Sequence, residues 1–191
     1  SYYGDETDSY GYRVVTIAEI YDVSNPNKPT SKGKVTQSGN YNTMRVSGDY
    51  VYLLSDFDAS IVNGRDAIGE YVPSVQGKLV ENSNICMPQY VRGDTYTVVS
   101  SFLLKNPEEK VDSKAIFGCS GLVYVSKNNI YVCESYYNSD DSDVTQTCIR
   151  KISYKDGILK AVGQTKIDGT LNDSFSLDEY EGNLRLVTTV S

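Results

Sequence analysis

Three times along this chain a pair of turn-forming residues is followed at once by an alternating apolar strand. The pairs are Gly48-Asp49 before Tyr50-Val51-Tyr52-Leu53-Leu54, Asn128-Asn129 before Ile130-Tyr131-Val132, and Gly182-Asn183 before Leu184-Arg185-Leu186-Val187. Each pair is preceded by another apolar stretch, at 44–46, 122–125 and 175–177. Gly, Asn and Asp accept the positive φ that a tight hairpin demands, and an apolar period of two marks a half-buried strand. A hairpin that recurs along one chain restricts the fold to a repeating β architecture.

The copies start 80 and 54 residues apart. Between the first two lies 57–88, where alternation is lost and Asn63-Gly64, Pro73, Gly77 and Pro88 are spread among polar residues. It reads as a long insertion loop with one short strand around Tyr71. Without its roughly 30 residues the first spacing falls near 50, close to the ~40–50 residue period of a four-stranded propeller blade. The expected fold is all-β, with residues 1–191 forming a partial β-propeller domain interrupted by the insertion.

Strands are expected at 13–23 and 33–37, joined through a turn ending at Pro26, which has no N–H to give to a ladder. Strand 95–104 is read as the third of its blade, because Gly93-Asp94 stands out of phase with the true copies. A turn at Asn106-Pro107-Glu108-Glu109 then leads to 113–117. Strands 145–154 and 158–167 flank Asp156-Gly157, a type I′ pair. On this count the chain opens with the third and fourth strands of one blade, holds two whole blades, and ends with the first and second strands of another. About three blades fall short of the ~4–8 that close a ring. The expectation is a fragment of a longer protein, or else two half-blades that pair into one composite blade.

Composition supports strands and excludes several functions. The chain has 17 Tyr, 39% apolar and 23% charged residues, and no sustained helical periodicity. A formal charge of −7 with 18 scattered basic residues disfavours nucleic acid and anionic lipid as partners. No apolar run approaches the ~20 residues of a membrane-spanning helix. There is no His, so Ser/His/Asp and Cys/His mechanisms have no base within the chain. The four Cys, at 86, 119, 133 and 148, form no CxxC pair and no metal knuckle. Cys133 and Cys148 lie equally far from a loop tip near Asp140-Asp141. They are expected to face each other on neighbouring strands and to bridge, leaving Cys86 and Cys119 as a second pair.

Four features invite chemistry. The acidic run Asp140-Asp141-Ser142-Asp143 resembles a hard-cation loop but lacks the Gly and the later Glu of an EF-hand, and reads as a solvated hairpin tip. Glu108-Glu109 and Asp178-Glu179 are carboxylate pairs, but adjacent strand residues point to opposite faces. Tyr2-Tyr3 and Tyr136-Tyr137 are candidate aromatic contact surfaces. Asn172-Asp173-Ser174 is a formal glycosylation sequon. No residue is assigned a catalytic, cofactor-binding or metal-ligating role, and Asp178 and Glu179 are read as structural bonds between blades.

Several segments resemble one family: secreted bacterial and archaeal proteins with a C-terminal β-propeller domain, distantly related to WD40 propellers. The matching residues are Tyr21-Asp22-Val23-Ser24-Asn25-Pro26 with Pro29, Gln37-Ser38-Gly39-Asn40-Tyr41, and Gly48-Asp49-Tyr50-Val51-Tyr52-Leu53. Further on are Lys114-Ala115-Ile116-Phe117-Gly118, Val123-Tyr124-Val125-Ser126 with Asn129-Ile130-Tyr131, and Phe175-Ser176-Leu177-Asp178-Glu179-Tyr180 with Leu184-Arg185. The resemblance implies a longer parent and export to the cell surface or medium, where disulfides form. It supplies no catalytic residue. The WD dipeptide, the kelch Gly-Gly pair and the sialidase Asp-box are all missing from the chain.

The function expected from these readings is a non-catalytic extracellular binding or scaffolding module with a protein or glycan ligand. The alternative is a carbohydrate-active enzyme whose carboxylate site is completed by blades outside this chain. Recognition is expected at 57–88 and 136–143, and deleting 60–85 is expected to leave the blades folded. The open blade edges are expected to promote self-association.

Overall fold

In the computed structural model the described residues are 14–60, 67–89, 91, 93–118, 121–137 and 144–190. They form β1 (Val15–Asp22), β2 (Thr30–Ser38), β3 (Asn40–Ser47), β4 (Tyr50–Asp58), β5 (Ser74–Val75), β6 (Lys78–Leu79), β7 (Ile85–Cys86) and β8 (Thr95–Leu103). The series continues with β9 (Asn106–Phe117), β10 (Leu122–Val125), β11 (Asn129–Tyr136), β12 (Gln146–Lys155), β13 (Ile158–Asp168), β14 (Leu177–Tyr180) and β15 (Asn183–Leu186). Three short 3-10 turns are the only helical elements among the described residues.

The strands make four sheets, in the orders β1-β2-β5-β6, β3-β4-β8-β9-β7, β10-β11-β12-β13 and β14-β15. Side-chain alternation stacks them face to face. In β4, Val51 and Leu53 join Val35 and Phe102 between the first and second sheets. Their neighbours Tyr52 and Leu54 join Ile130, Val132, Ile152 and Tyr154 between the second and third. In β11, Tyr131 and Cys133 turn the other way, to Ile149 and Leu177 beneath the fourth sheet. A strand apolar on both faces is what a blade buried between two neighbours requires. The sheets are propeller blades, and among the described residues they do not close a ring.

A second repeat, carried by glycine, fixes the blade phase. Gly39, Gly118 and Gly169 each follow the fourth strand of a blade, with φ of 98°, 68° and 88°. Each stands two residues beyond the partner of a third-strand threonine: Thr16 opposite Gln37, Thr97 opposite Ile116, Thr147 opposite Ile167. Thr16 Oγ1 donates to the Gly39 carbonyl at 2.8 Å and Thr147 Oγ1 to that of Gly169 at 2.7 Å. β1 and β2 are therefore third and fourth strands, and the expected blade order holds.

Blades are also tied through their turns. The Gly157 N–H donates to the Tyr52 hydroxyl at 2.9 Å, and Leu159 N–H to Asp112 Oδ2 at 2.9 Å, so the β12–β13 turn is held by the blade before it. Tyr52→Phe leaves that buried N–H without its acceptor, at an expected cost of about 2 kcal/mol. A urea midpoint that falls while the slope is unchanged is the expected readout, and an unchanged midpoint would refute it.

The structure corrects four expectations. Cys133 and Cys148 do not face each other: Cys133 pairs with Ile149 and Cys148 with Glu134. The strand register is offset by one residue from the expected one, so the two thiols fall on opposite faces and no bridge joins them. Cys119 lies outside the described residues, so the Cys86–Cys119 pairing does too. The turn expected at Asn106-Pro107-Glu108-Glu109 falls at Leu104-Lys105, with Leu103 opposite Asn106, and the following residues are absorbed as irregularities in β9.

The short strand expected around Tyr71 is a 3-10 turn (Ile68–Glu70), and 57–88 is more than a loop. Its β5–β6 hairpin adds to the outer edge of β2, where Gln76 N–H donates to Thr36 O and Thr36 N–H to Gln76 Oε1, both at 2.8 Å. Its β7 runs parallel to β9 on the edge of the second sheet. Val75 and Val80 are buried with Ala59, Tyr96, Val98 and Ala115. Deleting 60–85 would open two sheet edges and this small core.

Candidate functional site

The propeller has two unlike rims. Turns at 48–49, 104–105, 156–157 and 181–182 are two residues long and share one rim with the longer β1–β2 loop at 23–29. The other rim carries the second-to-third-strand connections, β4 to β8 and β11 to β12. These contain 57–88 and 136–143, the two stretches expected to carry recognition. Blade stacking brings them to the same side, and the blade-exit glycines lie there too. From the insertion, Ile68 and Met87 expose 67% and 66% of their surface, too much for core side chains.

A cleft of about 310 Å³ opens on this rim, lined by Gly121, Leu122, Cys133, Glu134, Ser135, Thr147 and Leu171. One blade back, the position equivalent to Ser135 is Asp56, opposite Thr97 as Ser135 is opposite Thr147. Asp56 accepts from Asn42 Nδ2 at 2.8 Å and Thr97 Oγ1 at 3.3 Å. Burial raises its pKa and these two donors oppose the rise. A carboxyl with a raised pKa at a strand end beside the long connections is an acid candidate that no sequence motif marked. Its ionised form is disfavoured by folding, so it weakens the fold as pH climbs through the carboxylate range. Asp56→Asn is expected to raise the melting temperature at pH 7 by about 1–2 °C and to lose that advantage below about pH 4. Equal melting at both pH values would refute it.

On the face of the third blade turned toward the second, Arg150 Nη1 bonds Glu134 Oε2 at 3.0 Å, with side-chain exposures of 4% and 14%. Cys148 shares that face. Burial pushes its thiol pKa up, Arg150 pulls it down and Glu134 raises it again, so the reactive thiolate is disfavoured.

Between the third and fourth blades, Glu179 accepts from Ser126 Oγ at 2.7 Å, Asn129 Nδ2 at 2.9 Å and Tyr131 Oη at 2.8 Å. The Glu179 N–H donates to Tyr124 Oη at 3.1 Å. Burial alone would raise the carboxyl pKa, but these donors and the Lys151 charge outweigh it and hold it below its ordinary value. With its lone pairs filled by a neighbouring blade, Glu179 acts as a clasp and not as a proton carrier.

The other sequence candidates separate. Asp178 lies opposite Arg185 in the β14–β15 hairpin and accepts from its Nε at 2.7 Å, facing away from Glu179. Glu108 and Glu109 alternate along β9; Glu109 Oε2 accepts from Asn106 Nδ2 at 3.1 Å and the Glu108 carbonyl from Gln76 Nε2 at 2.9 Å. Tyr137 is 43% exposed, and the Tyr136 ring lies 4.8 Å beneath Lys166 Nζ. In the sequon, Asn172 Nδ2 donates to Asp173 Oδ2 at 3.0 Å. Tyr2-Tyr3 and Asp140-Asp141-Ser142-Asp143 lie outside the described residues.

Four face-stacked sheets, repeated exit glycines and strand order all describe one architecture, and a family model described as a beta propeller domain matches residues 1–191. The chain belongs to the beta propeller domain family. No curated protein matches it. In this propeller, Asp178 and Glu179 bond neighbouring strands, whereas Asp56 and the cleft stand on the rim of long connections.

Proposed function

We propose that the chain is a non-catalytic binding or scaffolding module of the cell surface or extracellular medium, recognising a glycan or protein ligand through its long-loop rim. The observation that carries this reading is the asymmetry of the rims. Both second-to-third-strand connections, longer than any link on the other rim, leave from one side, and there the insertion presents Ile68 and Met87 to solvent. Recognition built on loops above a rigid stack is a common division of labour. The clasp at Glu179 and the ladder-like bonds of Gln76 supply the rigidity. The extracellular placement rests on the resemblance to exported propeller proteins. A second reading, a carbohydrate-active enzyme, has one observation in its favour, the raised pKa of Asp56.

The test is a glycan array and a set of cell-surface polysaccharides probed with the purified chain, alongside a panel of aryl glycosides. Saturable binding that weakens at least tenfold when Ile68 and Met87 are both replaced by Ser is the expected result, with no turnover. Turnover abolished by Asp56→Asn would overturn it in favour of the enzyme. Binding unaffected by the two Ser replacements would move recognition off the insertion.

A further inference from the structure

The chain holds two Asp-Gly pairs, Asp156-Gly157 and Asp168-Gly169. In such a pair the backbone can react with its own side chain, because glycine puts no Cβ in the way. The glycine amide nitrogen attacks the aspartyl Cγ and a new N–Cγ bond closes a five-membered succinimide. The carboxyl hydroxyl leaves with the amide proton as water. Water then reopens the ring, and cleavage at the backbone carbonyl leaves the main chain running through Cγ as isoaspartate. No reagent other than water is consumed. In a folded chain the rate is set by how freely the glycine nitrogen can swing toward Cγ, and here the two pairs are held by different partners.

At Asp168-Gly169 the lock lies within one blade. The Gly169 N–H donates to Thr145 O at 2.7 Å, and the Asp168 carboxylate accepts from Gln146 Nε2 at 2.9 Å. Both partners stand at the start of β12, beside β13 in the third blade. At Asp156-Gly157 the lock belongs to the neighbouring blade. The Gly157 N–H donates to the buried Tyr52 hydroxyl at 2.9 Å, and the Gly157 carbonyl accepts from Ser101 Oγ. A Cβ on Gly157 would lie 2.7 Å from the Tyr50 ring and 2.8 Å from Val111, so the turn is seated tightly against β4 and β9. Asp156 itself is exposed, so water reaches the reacting carboxyl while the second blade restrains the nitrogen.

We propose that Asp156-Gly157 is a latent isoaspartate site, reactive when the second and third blades part and protected while they are joined. Ring closure turns the Gly157 N–H away from Tyr52, so it proceeds from molecules in which this contact has opened locally. Isoaspartate at 156 therefore accumulates as a record of how often the interface opens. The modification also feeds on itself. An added backbone atom in the two-residue turn takes Gly157 out of line with Tyr52 and Ser101, and Leu159 N–H out of line with Asp112 Oδ2, which it meets at 2.9 Å. Buried donors stranded in this way weaken the joint between the blades.

Prolonged incubation of the purified full chain at neutral pH, followed by electron-transfer mass spectrometry of its peptides, tests this. Each site is read separately, and signal from Asn63-Gly64 is kept apart. Chain unfolded in urea is expected to isomerise at both 156 and 168, and folded wild type at neither. Tyr52→Phe, with the fold checked by circular dichroism, is expected to speed isoaspartate formation at 156 about tenfold and to leave 168 unchanged. Ser101→Ala, which removes the second tether, is expected to act in the same direction and serves if Tyr52→Phe does not fold. Folded wild type that isomerises at 156 as fast as the unfolded chain would overturn the protection. Equal rates at 156 in wild type and both variants would overturn the role of the second blade. A rise at 156 and 168 together would assign the reaction to global unfolding and overturn the proposal.

Discussion

Replacing Gly39 with Ala is expected to lower the melting temperature by roughly 10 °C. Gly39 is the one residue between β2 and β3, where the chain leaves the outer edge of one blade for the inner strand of the next. Its φ of 98° is a conformation L side chains rarely adopt, and a Cβ there would lie 2.4 Å from the Asp56 carbonyl oxygen. Backbone strain of this kind costs about 1–3 kcal/mol, and forcing atoms into a packed site costs about as much again. Relaxation is blocked because Gly39 N–H donates to Val14 O at 2.8 Å and its carbonyl accepts from Thr16 at 2.8 Å. Gly163→Ala is the control. It sits in β13 with nothing within 4 Å of the new methyl, and is expected to be neutral or slightly stabilising. Similar melting of the two variants would show that the crossing yields cheaply.

That crossing has a signature in the sequence. Gly39, Gly118 and Gly169 are spaced by 79 and 51 residues, nearly the 80 and 54 of the hairpin pairs. The hairpins themselves were legible because turn chemistry and an apolar period of two agree locally. Asp156 and Gly157, with φ of 49° and 80°, adopt the type I′ turn that Asp-Gly implies. Where the two signals part, local sequence misplaces the turn. Pro107 and two acids resemble a turn, yet the chain turns at Leu104-Lys105, which carries neither Gly nor Asn. There the Leu104 N–H is held by the Asp49 carbonyl at 2.9 Å, a contact from 55 residues away that no local pattern announces.

Register errors have the sharpest consequence. A register offset of one residue moved Cys148 to the opposite face from Cys133, because side chains alternate with a period of two. In 57–88 the strands are two residues long, too short for alternation to show. Much of the pairing there is done by the Gln76 side chain, which no strand pattern encodes. Asp56 illustrates the same limit at the candidate site. Its raised pKa comes from burial among neighbours brought by other strands, and the donors Asn42 and Thr97 lie 14 and 41 positions away. The rim asymmetry was half legible: both long connections were chosen from composition, but only strand order shows that they share a side.

Removing the Glu179 clasp is expected to cost about 3 kcal/mol at neutral pH, because hydrogen bonds to a charged group contribute about 1.5–3 kcal/mol and stranded donors add to the loss. Glu179→Ala takes the shared acceptor from Ser126, Asn129 and Tyr131, which rigidify the turn between β10 and β11. The loss should fall on the fourth blade first, since Glu179 is its polar tie to the third and Leu177, Leu184 and Leu186 its apolar one. The pH dependence separates this clasp from mere packing. The Glu179 pKa is lowered in the folded state, so its contribution is fully present above the ordinary carboxylate pKa and is lost as pH falls through the folded value. Wild type and Glu179→Ala are therefore expected to differ by roughly 9 °C in melting temperature at pH 7, with the gap narrowing as pH falls below the ordinary carboxylate pKa. Asp56→Asn differs in sign at pH 7, because burial disfavours the Asp56 carboxylate that folding must accommodate, whereas folding favours that of Glu179. A Glu179→Ala deficit that persists undiminished at pH 3 would assign the loss to packing and remove the ionic clasp from the account of how these blades are joined.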